Sequence, residues 1–223
     1  MKDQTQLPVV GVVLAGGLSR RMFVGQPGGG YKGLLDLDGR SMIEHVIHRL
    51  APQVRHMIVN ANGTPDQLEQ LHARLRLPIV PDTVEGFVGP LAGVLAGLRW
   101  TAANVPAATH IVSVSSDAPF LPGNLVERLA TAISVRSGPI ALAGSLGEVQ
   151  PVIGLWPVAL ADDLEAALRS GVRKVLAWTD RHGTAQVDFP ALDIAGVAVD
   201  PFFNANTPAE LDEARRLLAL KSA

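Results

Sequence analysis

A pair of glycines that ends an apolar segment is followed at once by residues that could hold phosphate. After Val9–Ala15 come two glycines, a serine and two arginines: Gly16, Gly17, Ser19, Arg20 and Arg21. Glycines let the main chain approach a phosphate and aim several N–H groups at it, and arginines bind its oxygens through forked hydrogen bonds. The spacing matches neither Walker A nor the Rossmann fingerprint. A phosphate loop and a tight turn with exposed arginines therefore both remain open.

An aspartate stands at a second junction of this kind. The apolar segment His110–Val114 leads through two serines to Asp117. Magnesium binds in proteins through one or two carboxylates together with substrate phosphates, so Asp117 could hold Mg²⁺. Turn chemistry alone favours a turn or helix cap for an Asp close to Pro. The chain has no cysteine, and its six histidines show no H-E-x-x-H spacing, so thiolate catalysis is excluded and no histidine is assigned to a metal.

The elements that must position these residues alternate along the chain. Short apolar segments rich in Val and Ile predict strands buried on both faces: Val9–Ala15, His56–Asn60, Pro78–Val80, His110–Val114 and Ile140–Ala143. Between and after them, helical spacing predicts helices: Ser41–Ala51, Asp66–Leu75, Leu91–Ala102, Asn124–Ile133, Val158–Arg169 and Pro208–Leu220. Ser41 and Glu44 form a capping box in the first of these helices. Glu148–Trp156 predicts a further strand, and Gly183–Asp200 stays unassigned.

This alternation predicts an α/β fold of three layers, with a mainly parallel sheet and helices on both faces. Ligands bind beyond the carboxyl ends of strands in such sheets, so Gly16 and Asp117 should share one edge. The 223 residues suit one domain over 1–223. A net charge of −2 gives no reason to expect a nucleic-acid partner. The start of the chain lacks a secretion signal, and no apolar run is long enough to span a membrane, so we expect a cytoplasmic protein.

The first loop and the residues after it resemble a known family. L-A-G-G-L-S-R-R-M, followed by K-G-L-L and G-R-S-M-I-E-H-V-I, is similar to the signature of the nucleotidyltransferases related to molybdenum cofactor guanylyltransferase. The matching residues are Leu14, Ala15, Gly16, Gly17, Ser19, Arg21, Met22 and Lys32. The resemblance implies a Rossmann-like nucleotidyltransferase fold in which this loop wraps a nucleoside triphosphate and Lys32 contacts its phosphates. One departure is that nine residues, Phe23–Tyr31, precede Lys32, and Tyr31 replaces the family's acidic residue.

The resemblance also implies roles for residues later in the chain. It makes Asp117 the Mg²⁺ ligand and, with Arg21 and Lys32, part of the catalytic set. Nucleotide contacts are expected from Asn60 and Asp82, and from Gly89 in the G-P-L-A-G segment. Arg20 of the first loop is expected to contact the phosphates on chemical grounds, through forked hydrogen bonds. Turn formation by Asp82 and close helix packing at Gly93 and Gly97 are the structural alternatives. The acceptor side is expected to include Gln150, Pro151, Asn204 and Asn206, although Thr207 and Pro208 are also a natural helix start.

The implied reaction is transfer of GMP from GTP to the phosphate of molybdopterin (Mo-molybdopterin), with Mg²⁺ as cofactor and pyrophosphate as by-product. Transient contact with molybdopterin-handling proteins or acceptor molybdoenzymes would accompany it. Three alternatives stay open. A cytidylyltransferase of the same fold usually carries L-A-A-G in the first loop, and a sugar-phosphate nucleotidyltransferase is a looser relative. A nucleotide-binding accessory protein without turnover is the alternative from another class, encouraged by the long Phe23–Tyr31 segment.

Overall fold

Strands and helices alternate along most of the chain in the computed structural model, which describes residues 8–16, 31–84, 89–135 and 138–222. The strands are β1 (Val9–Leu14), β2 (Asp36–Leu37), β3 (Arg40–Ser41), β4 (His56–Asn60), β5 (Ile79–Val80), β6 (His110–Ser115), β7 (Ile140–Ser145), β8 (Glu148–Pro157), β9 (Thr184–Phe189), β10 (Leu192–Ile194) and β11 (Val197–Val199). The helices are α1 (Met42–Leu50), α2 (Pro65–Leu75), α3 (Pro90–Asn104), α4 (Leu125–Val135), α5 (Ala161–Arg169), α6 (Val175–Thr179) and α7 (Pro208–Ser222). Single 3₁₀ turns lie at Lys32–Leu34, Ala51–Gln53 and Val158–Leu160.

The main sheet is predominantly parallel, as predicted. Within the described residues its order is β5–β4–β1–β6–β8–β7–β9. Only β8 runs antiparallel to its neighbours, β6 and β7, while the other pairs are parallel. Leu14 at the end of β1 is in register with Asn60 on one side and Ser115 on the other. The ends of β4, β1 and β6 therefore lie side by side at one edge of the sheet.

Helices cover both faces of the sheet, which confirms the three-layer prediction. On one face, α1, α2 and α4 pack against the sheet through residues such as Ile43, Leu71 and Leu129. On the other face, α3, α5 and α6 contribute residues such as Val94, Leu164 and Trp178. Adjacent strand residues alternate between the two cores because successive side chains of a strand point to opposite faces. Burial on both faces explains why the interior strands are continuously apolar.

Helix α3 packs unusually close to the sheet. Gly93 and Gly97 face β1, and a Cβ atom at Gly97 would lie 2.8 Å from Val12 Cγ2. Close helix packing, the structural alternative for these two glycines, is therefore what the geometry shows. Every residue from Leu91 to Leu98 is buried. Although α3 is apolar, its 15 residues are too few to span a membrane. No helix in the described part of the chain is both long and apolar enough to do so.

Local signals place several helix starts, with small shifts from the predicted bounds. Ser41 and Glu44 form the predicted capping box, with Ser41 N donating to Glu44 Oε2 at 2.7 Å. Thr64 and Gln67 form another, and Pro65 occupies the first turn, so α2 begins one residue earlier than predicted. The prediction of a single helix over Val158–Arg169 was wrong at its start. A 3₁₀ turn precedes α5, which begins only at Ala161.

The unassigned stretch Gly183–Asp200 forms strands too short for a periodic pattern to reveal. Strand β9 lies at one edge of the main sheet, paired in parallel with β7. Strands β10 and β11 form a hairpin whose turn residues, Ala195 and Gly196, have positive φ angles. The hairpin joins α7 in a small third core with Leu37, Met42 and Phe120. This core fixes α7, and the turn before it, beside the edge of the sheet that carries Asp117.

Candidate active site

The ends of three neighbouring strands bring the predicted site residues to one edge of the sheet. Because Leu14 is in register with both Asn60 and Ser115, the residues that follow β1 and β6 emerge together. Gly16 follows β1 and Asp117 follows β6, so the prediction that they share an edge is confirmed. The main chain here is well held, with Ala15 N donating to Asn60 O at 2.8 Å and Ser116 N to Leu14 O at 3.1 Å.

Lys32 forms an ion pair with Asp117 at this edge. Lys32 Nζ contacts Asp117 Oδ2 and donates a 2.6 Å hydrogen bond to Asn206 Oδ1. The hydroxyl of Ser115 donates to the other carboxylate oxygen, Oδ1. The Lys32 and Asp117 side chains are only 13% and 12% exposed, so solvent screens their attraction weakly. Despite the nine residues Phe23–Tyr31, Lys32 therefore lies against Asp117.

The turn before α7 is tied both to Asp117 and to its own helix. Ala205 N donates to Asp117 O at 3.2 Å, which holds the turn against the end of β6. Glu210 Oε2 accepts hydrogen bonds of 2.8 Å from the main-chain N–H groups of Asn206 and Thr207. Glu210 N in turn donates to Thr207 Oγ1 at 3.3 Å, so Thr207 and Glu210 form a capping box. Asn206 is thereby fixed at the position where it meets Lys32.

Asn204 lies in the same turn with an unused acceptor. Its side-chain oxygen, Oδ1, is buried and has no hydrogen-bond partner among the described residues. A buried polar atom without a partner costs free energy, so such atoms are few in native structures. Of the two asparagines predicted for the acceptor side, Asn206 thus joins the Lys32 cluster. Asn204 is two residues earlier in the same turn, where its main-chain oxygen accepts from Asn206 Nδ2 at 3.5 Å.

A second polar network lies beyond β4 and β5 and centres on Asp82. Asp82 Oδ1 accepts from Asn60 Nδ2 at 2.9 Å, and Oδ2 accepts from Asn62 Nδ2 at 2.8 Å. Asp82 N donates back to Asn62 Oδ1 at 2.8 Å, and Asn60 Nδ2 also donates to Val80 O. Asn60 is buried, at 3% exposure. The carboxylate of Asp82 is therefore held in one orientation at the same edge of the sheet.

Two glycines border this network. A Cβ at Gly16 would lie 3.3 Å from Asn62 Nδ2, so the first loop passes directly beside the asparagines. Gly89 precedes α3 with a φ of 150°, a conformation that side chains rarely adopt, and a Cβ there would meet no atom of the described residues within 4 Å. Pro90 then occupies the first helical position. The backbone conformation at position 89 therefore favours glycine.

The predicted acceptor residues of β8 lie at the same edge, between β6 and β7. Gln150 and Pro151 are near the start of β8, which runs opposite to its neighbours, so the start of β8 meets the ends of β6 and β7. Gln150 Nε2 donates to Ser145 Oγ at 3.3 Å at the end of β7. Their part in binding an acceptor stays a prediction.

Several predicted residues lie outside the described residues. They are Gly17, Ser19, Arg20, Arg21 and Met22 of the first loop, together with Phe23–Gly30 and with Gly86–Val88 before the G-P-L-A-G segment. Leu14, Ala15 and Gly16 of the first loop, and Gly89, are described and border the site. The roles expected for Arg20 and Arg21 stay predictions.

The structure also adds residues that the sequence interpretation did not single out. Ser115, Asn62 and Glu210 each hold a predicted residue in place, through Asp117, Asp82 and Asn206 respectively. The signal for Glu210 was visible, because Thr207 and Glu210 have the T-x-x-E spacing of a capping box. No local pattern marks Asn62 or Ser115.

The Lys32 cluster is arranged to bind charge. Asp117 Oδ2 and Asn206 Oδ1 converge on one cation, the Lys32 ammonium. Carboxylate and amide oxygens are donors that Mg²⁺ accepts, and a single carboxylate suffices where substrate phosphates supply further ligands. Within residues 8–16, 31–84, 89–135 and 138–222, no group of three His, Asp or Glu residues forms a metal cage. The donor set thus fits a metal that arrives with a phosphate-bearing substrate.

Solved structures with the same architecture include proteins whose names refer to different nucleotides. Molybdopterin-guanine dinucleotide biosynthesis protein A from Archaeoglobus fulgidus superposes with a TM-score of 0.70 at 24% identity, covering 95% of this chain and 98% of that one. A 4-diphosphocytidyl-2C-methyl-D-erythritol synthase gives 0.66 at 11% identity, covering 94% and 97%. Both show that the chain has the nucleotidyltransferase fold. The fold by itself does not distinguish guanylyl transfer from cytidylyl transfer. That distinction needs sequence similarity.

Sequence comparison reaches nearly the full length of the chain. Residues 11–185 match the model of the MobA-like NTP transferase domain. The molybdenum cofactor guanylyltransferase of Bradyrhizobium sp. (strain ORS 278) is 48% identical over 222 residues, which is 99% of this chain and 98% of that protein. The one from Rhizobium meliloti (strain 1021) is 49% identical over 208 residues, covering 93% and 90%. The chain therefore belongs to the MobA-like NTP transferases and, among them, to the molybdenum cofactor guanylyltransferase family.

Proposed function

We propose that the protein transfers GMP from GTP to the phosphate of molybdopterin (Mo-molybdopterin), forming the guanine dinucleotide form of the molybdenum cofactor. The observation that carries this proposal is the 48% identity to a molybdenum cofactor guanylyltransferase over 99% of the chain. The Lys32–Asp117–Asn206 cluster supports it, because it places a cationic group and two acceptor oxygens at the sheet edge where the phosphates are expected to bind. The long Phe23–Tyr31 segment does not remove Lys32 from that cluster.

In this reaction the molybdopterin phosphate oxygen forms a bond to the α-phosphorus of GTP, and the bond from that phosphorus to the β-phosphate oxygen breaks. Pyrophosphate leaves with the electron pair. A phosphate monoester is already largely ionised near neutral pH, its second pKa being about 6, so no strong general base is required. Catalysis then depends on positioning and on stabilising the negative charge of the transition state. Lys32 and the Gly16–Arg21 loop are the residues we assign to the triphosphate.

Asp117 is the residue we assign to a divalent cation, with Mg²⁺ as the expected ion. Its carboxylate and the Asn206 amide oxygen already converge on a cation, and the unpartnered Asn204 oxygen is close by in sequence. Bound there with the substrate, Mg²⁺ would neutralise charge on the phosphate oxygens. The Ser115 hydroxyl orients the carboxylate through its second oxygen. Lys32 holds the two oxygens together before the substrate arrives.

The Asp82 network is assigned to the nucleoside end of GTP. Asn60 and Asn62 fix the Asp82 carboxylate, and a fixed acceptor can select among bases by their N–H groups. Gly89, at the start of α3, is assigned to the same end of GTP. On the other side of the site, Gln150, Pro151, Asn204 and Asn206 are assigned to the acceptor.

The unit that does this chemistry is proposed to be the whole chain, 1–223, as one nucleotidyltransferase domain. The family match ends at residue 185, yet Asn206 and Glu210 lie beyond it and complete the Lys32 cluster. Transient docking with a molybdopterin-handling protein or an acceptor molybdoenzyme is part of the proposal, because the product is a cofactor that must be handed on.

The test is a panel of GTP, CTP, ATP and UTP with molybdopterin and Mg²⁺, read out as pyrophosphate release and as dinucleotide mass. We expect turnover with GTP and none when either molybdopterin or the metal is omitted. Binding is checked separately by thermal unfolding, since a ligand at 100 times its Kd stabilises the fold by about 2.7 kcal/mol. Turnover with CTP instead would establish cytidylyl transfer. Binding of GTP without any turnover would favour the accessory protein.

A further inference from the structure

The residue before Lys32 makes a specific contact with the other half of the site. Tyr31 OH donates a 2.9 Å hydrogen bond to the main-chain carbonyl of Asn62. The Tyr31 ring packs against the apolar core beneath α1 and α2. Gly63 leaves room for the hydroxyl, because a Cβ atom at that position would lie 2.6 Å from Tyr31 OH. The ring, the hydroxyl and the missing Cβ therefore define one fixed position for Tyr31.

Asn62 carries this contact to the nucleotide side of the site. Its side chain exchanges two hydrogen bonds with Asp82, one to Oδ2 and one from the main-chain N–H, both of 2.8 Å. Tyr31 is bonded directly to Lys32, whose ammonium contacts Asp117. The chain of contacts thus runs from the Asp117 cluster through Tyr31 to Asn62 and Asp82. The two halves are thus connected by the covalent bond between Tyr31 and Lys32 and by one hydrogen bond, from Tyr31 OH to Asn62 O.

We propose that Tyr31 is a positioning residue that sets Lys32 and the Asn62–Asp82 pair in register with each other, so that one GTP molecule can contact both. This inference rests on the proposed function, since it assumes that GTP spans the two clusters. Burial raises the pKa of the Tyr31 hydroxyl, which keeps it protonated and able to donate throughout the neutral range. Tyr31 itself touches no reacting atom in this account. It acts through its neighbours.

The decisive variant is Tyr31→Phe, which removes the hydroxyl and keeps the ring. We expect the Kd and KM for GTP to rise about threefold to tenfold, the range that corresponds to one hydrogen bond, while kcat changes less than about twofold. Gly63→Ala places a methyl group where the Tyr31 hydroxyl lies and so disturbs the same hydrogen bond. It should also raise the KM for GTP. Thr184→Val is the matched control. Thr184 lies on β9, away from the site, and its hydroxyl donates to a main-chain carbonyl, Thr179 O, at 3.0 Å. The substitution removes that hydroxyl.

A double-mutant cycle with Asp82→Asn distinguishes positioning from a general structural effect. If Tyr31 acts through Asn62 and Asp82, Tyr31→Phe should weaken GTP binding in the wild-type protein and have little further effect in the Asp82→Asn background. Additive effects of the two changes would overturn the inference. So would a wild-type KM for GTP in Tyr31→Phe, or an equal rise in KM and loss of stability in Thr184→Val.

The same measurements separate this inference from the proposed function. If Asp82→Asn weakens GTP binding but Tyr31→Phe does not, the coupling through Tyr31 is wrong and the proposed function stands. If the wild-type protein binds no GTP, the proposed function fails and the inference falls with it. Unfolding curves of every variant confirm that the comparison is made between folded proteins.

Discussion

Lys32 and Asn206 are 174 positions apart in the sequence, yet Lys32 Nζ donates a 2.6 Å hydrogen bond to Asn206 Oδ1. Asp117 contacts the same ammonium, so three distant segments meet at one cation. The parallel sheet brings Asp117 to its edge, and the third core holds the turn before α7 against that edge. The site therefore depends on tertiary packing as much as on the first loop.

Replacing Asp117 with Asn should abolish transfer while leaving the protein folded. The change removes the negative charge that faces Lys32 and the carboxylate assigned to the metal, and keeps the shape of the side chain. We expect kcat to fall by about 10²-fold or more, because the lost carboxylate is the group assigned to hold the cation that stabilises charge on the reacting phosphates. The free energy of unfolding should fall by about 1–3 kcal/mol, the cost of a buried group that loses its partner. Pyrophosphate release and urea denaturation measure the two effects.

Asp212→Asn is the control for this substitution. Asp212 lies on the exposed side of α7, where it pairs with Arg215 and its side chain is 73% exposed. Exposed ion pairs contribute little to stability, so neither turnover nor unfolding should change measurably. Unchanged Mg²⁺-dependent turnover in Asp117→Asn would rule out the metal assignment.

The parts of the site that were predictable follow from local pattern and from sheet geometry. Continuous segments of Val and Ile predict the buried strands. The parallel pairing of β1 with β6 then places Gly16 and Asp117 at one edge of the sheet. The capping box of Ser41 and Glu44 could be predicted because the two residues lie within one helical turn of each other. These features need only neighbouring residues or the general rule for parallel sheets.

The unpredicted parts depend on which segments meet in space. The contact between Tyr31 and Asn62 joins residues 31 positions apart and involves a main-chain carbonyl, which no side-chain pattern reveals. Strand β8 runs antiparallel, and an apolar segment carries no sign of its direction. Strands β9, β10 and β11 are short, and Pro190 and Gly196 interrupt their pattern. Their assignment needed the tertiary structure.

Replacing Glu210 with Ala should affect both the stability of α7 and the activity. Glu210 accepts hydrogen bonds from the main chain of Asn206 and Thr207, so its loss frees the turn that presents Asn206 to Lys32. Loss of a capping interaction costs about 0.5–2 kcal/mol. We expect kcat/KM to fall between about tenfold and 10²-fold, because a small displacement of a positioned group is costly to catalysis. Kinetics and thermal unfolding are compared in one preparation.

Glu213→Ala on the same helix is the matched control. Glu213 lies on the solvent side of α7, where its carboxylate accepts hydrogen bonds of 2.8 and 2.7 Å from Arg216. It should leave kcat/KM at the wild-type value. Glu210→Gln, which retains an acceptor oxygen, should recover much of the activity. Equal activity of the Glu210→Ala and wild-type proteins would show that Asn206 is positioned without the cap.

His110 should make the protein less stable as the solution is acidified. Burial lowers the pKa of His110 below its ordinary value of 6.5. Between that lowered value and 6.5, the unfolded chain binds more protons than the folded one, so the free energy of unfolding rises with pH in this window. The stability is complete above pH 6.5 and is lost as the pH falls towards the folded-state pKa. Urea denaturation at pH 7.5 and pH 5.5 measures the loss.

His110→Gln removes this titration and should flatten the dependence between the two pH values. His48→Gln, at an exposed position of α1, controls for the loss of an imidazole. Measurements are kept above about pH 5 because carboxylates, including Asp163, whose pKa is lowered by its hydrogen bond from Trp178, titrate below that range. An identical pH dependence in wild type and His110→Gln would contradict the assignment.

Replacing Gly93 with Ala should disturb the Asp82 network through Asn60, which packs against Gly93. Alanine normally favours a helix over glycine by about 0.8–1.0 kcal/mol, but here its Cβ would lie 2.3 Å from Asn60 Oδ1 and 2.8 Å from Leu14 Cδ2. Asn60 is buried and cannot move away freely, so we expect a net destabilisation of about 1–3 kcal/mol and weaker GTP binding. Gly123→Ala, where a Cβ meets nothing within 4 Å, should change neither property. If Gly93→Ala stabilised the protein and left GTP affinity intact, Asn60 would have room to reorient, and its assigned role of holding Asp82 for the nucleotide would be wrong.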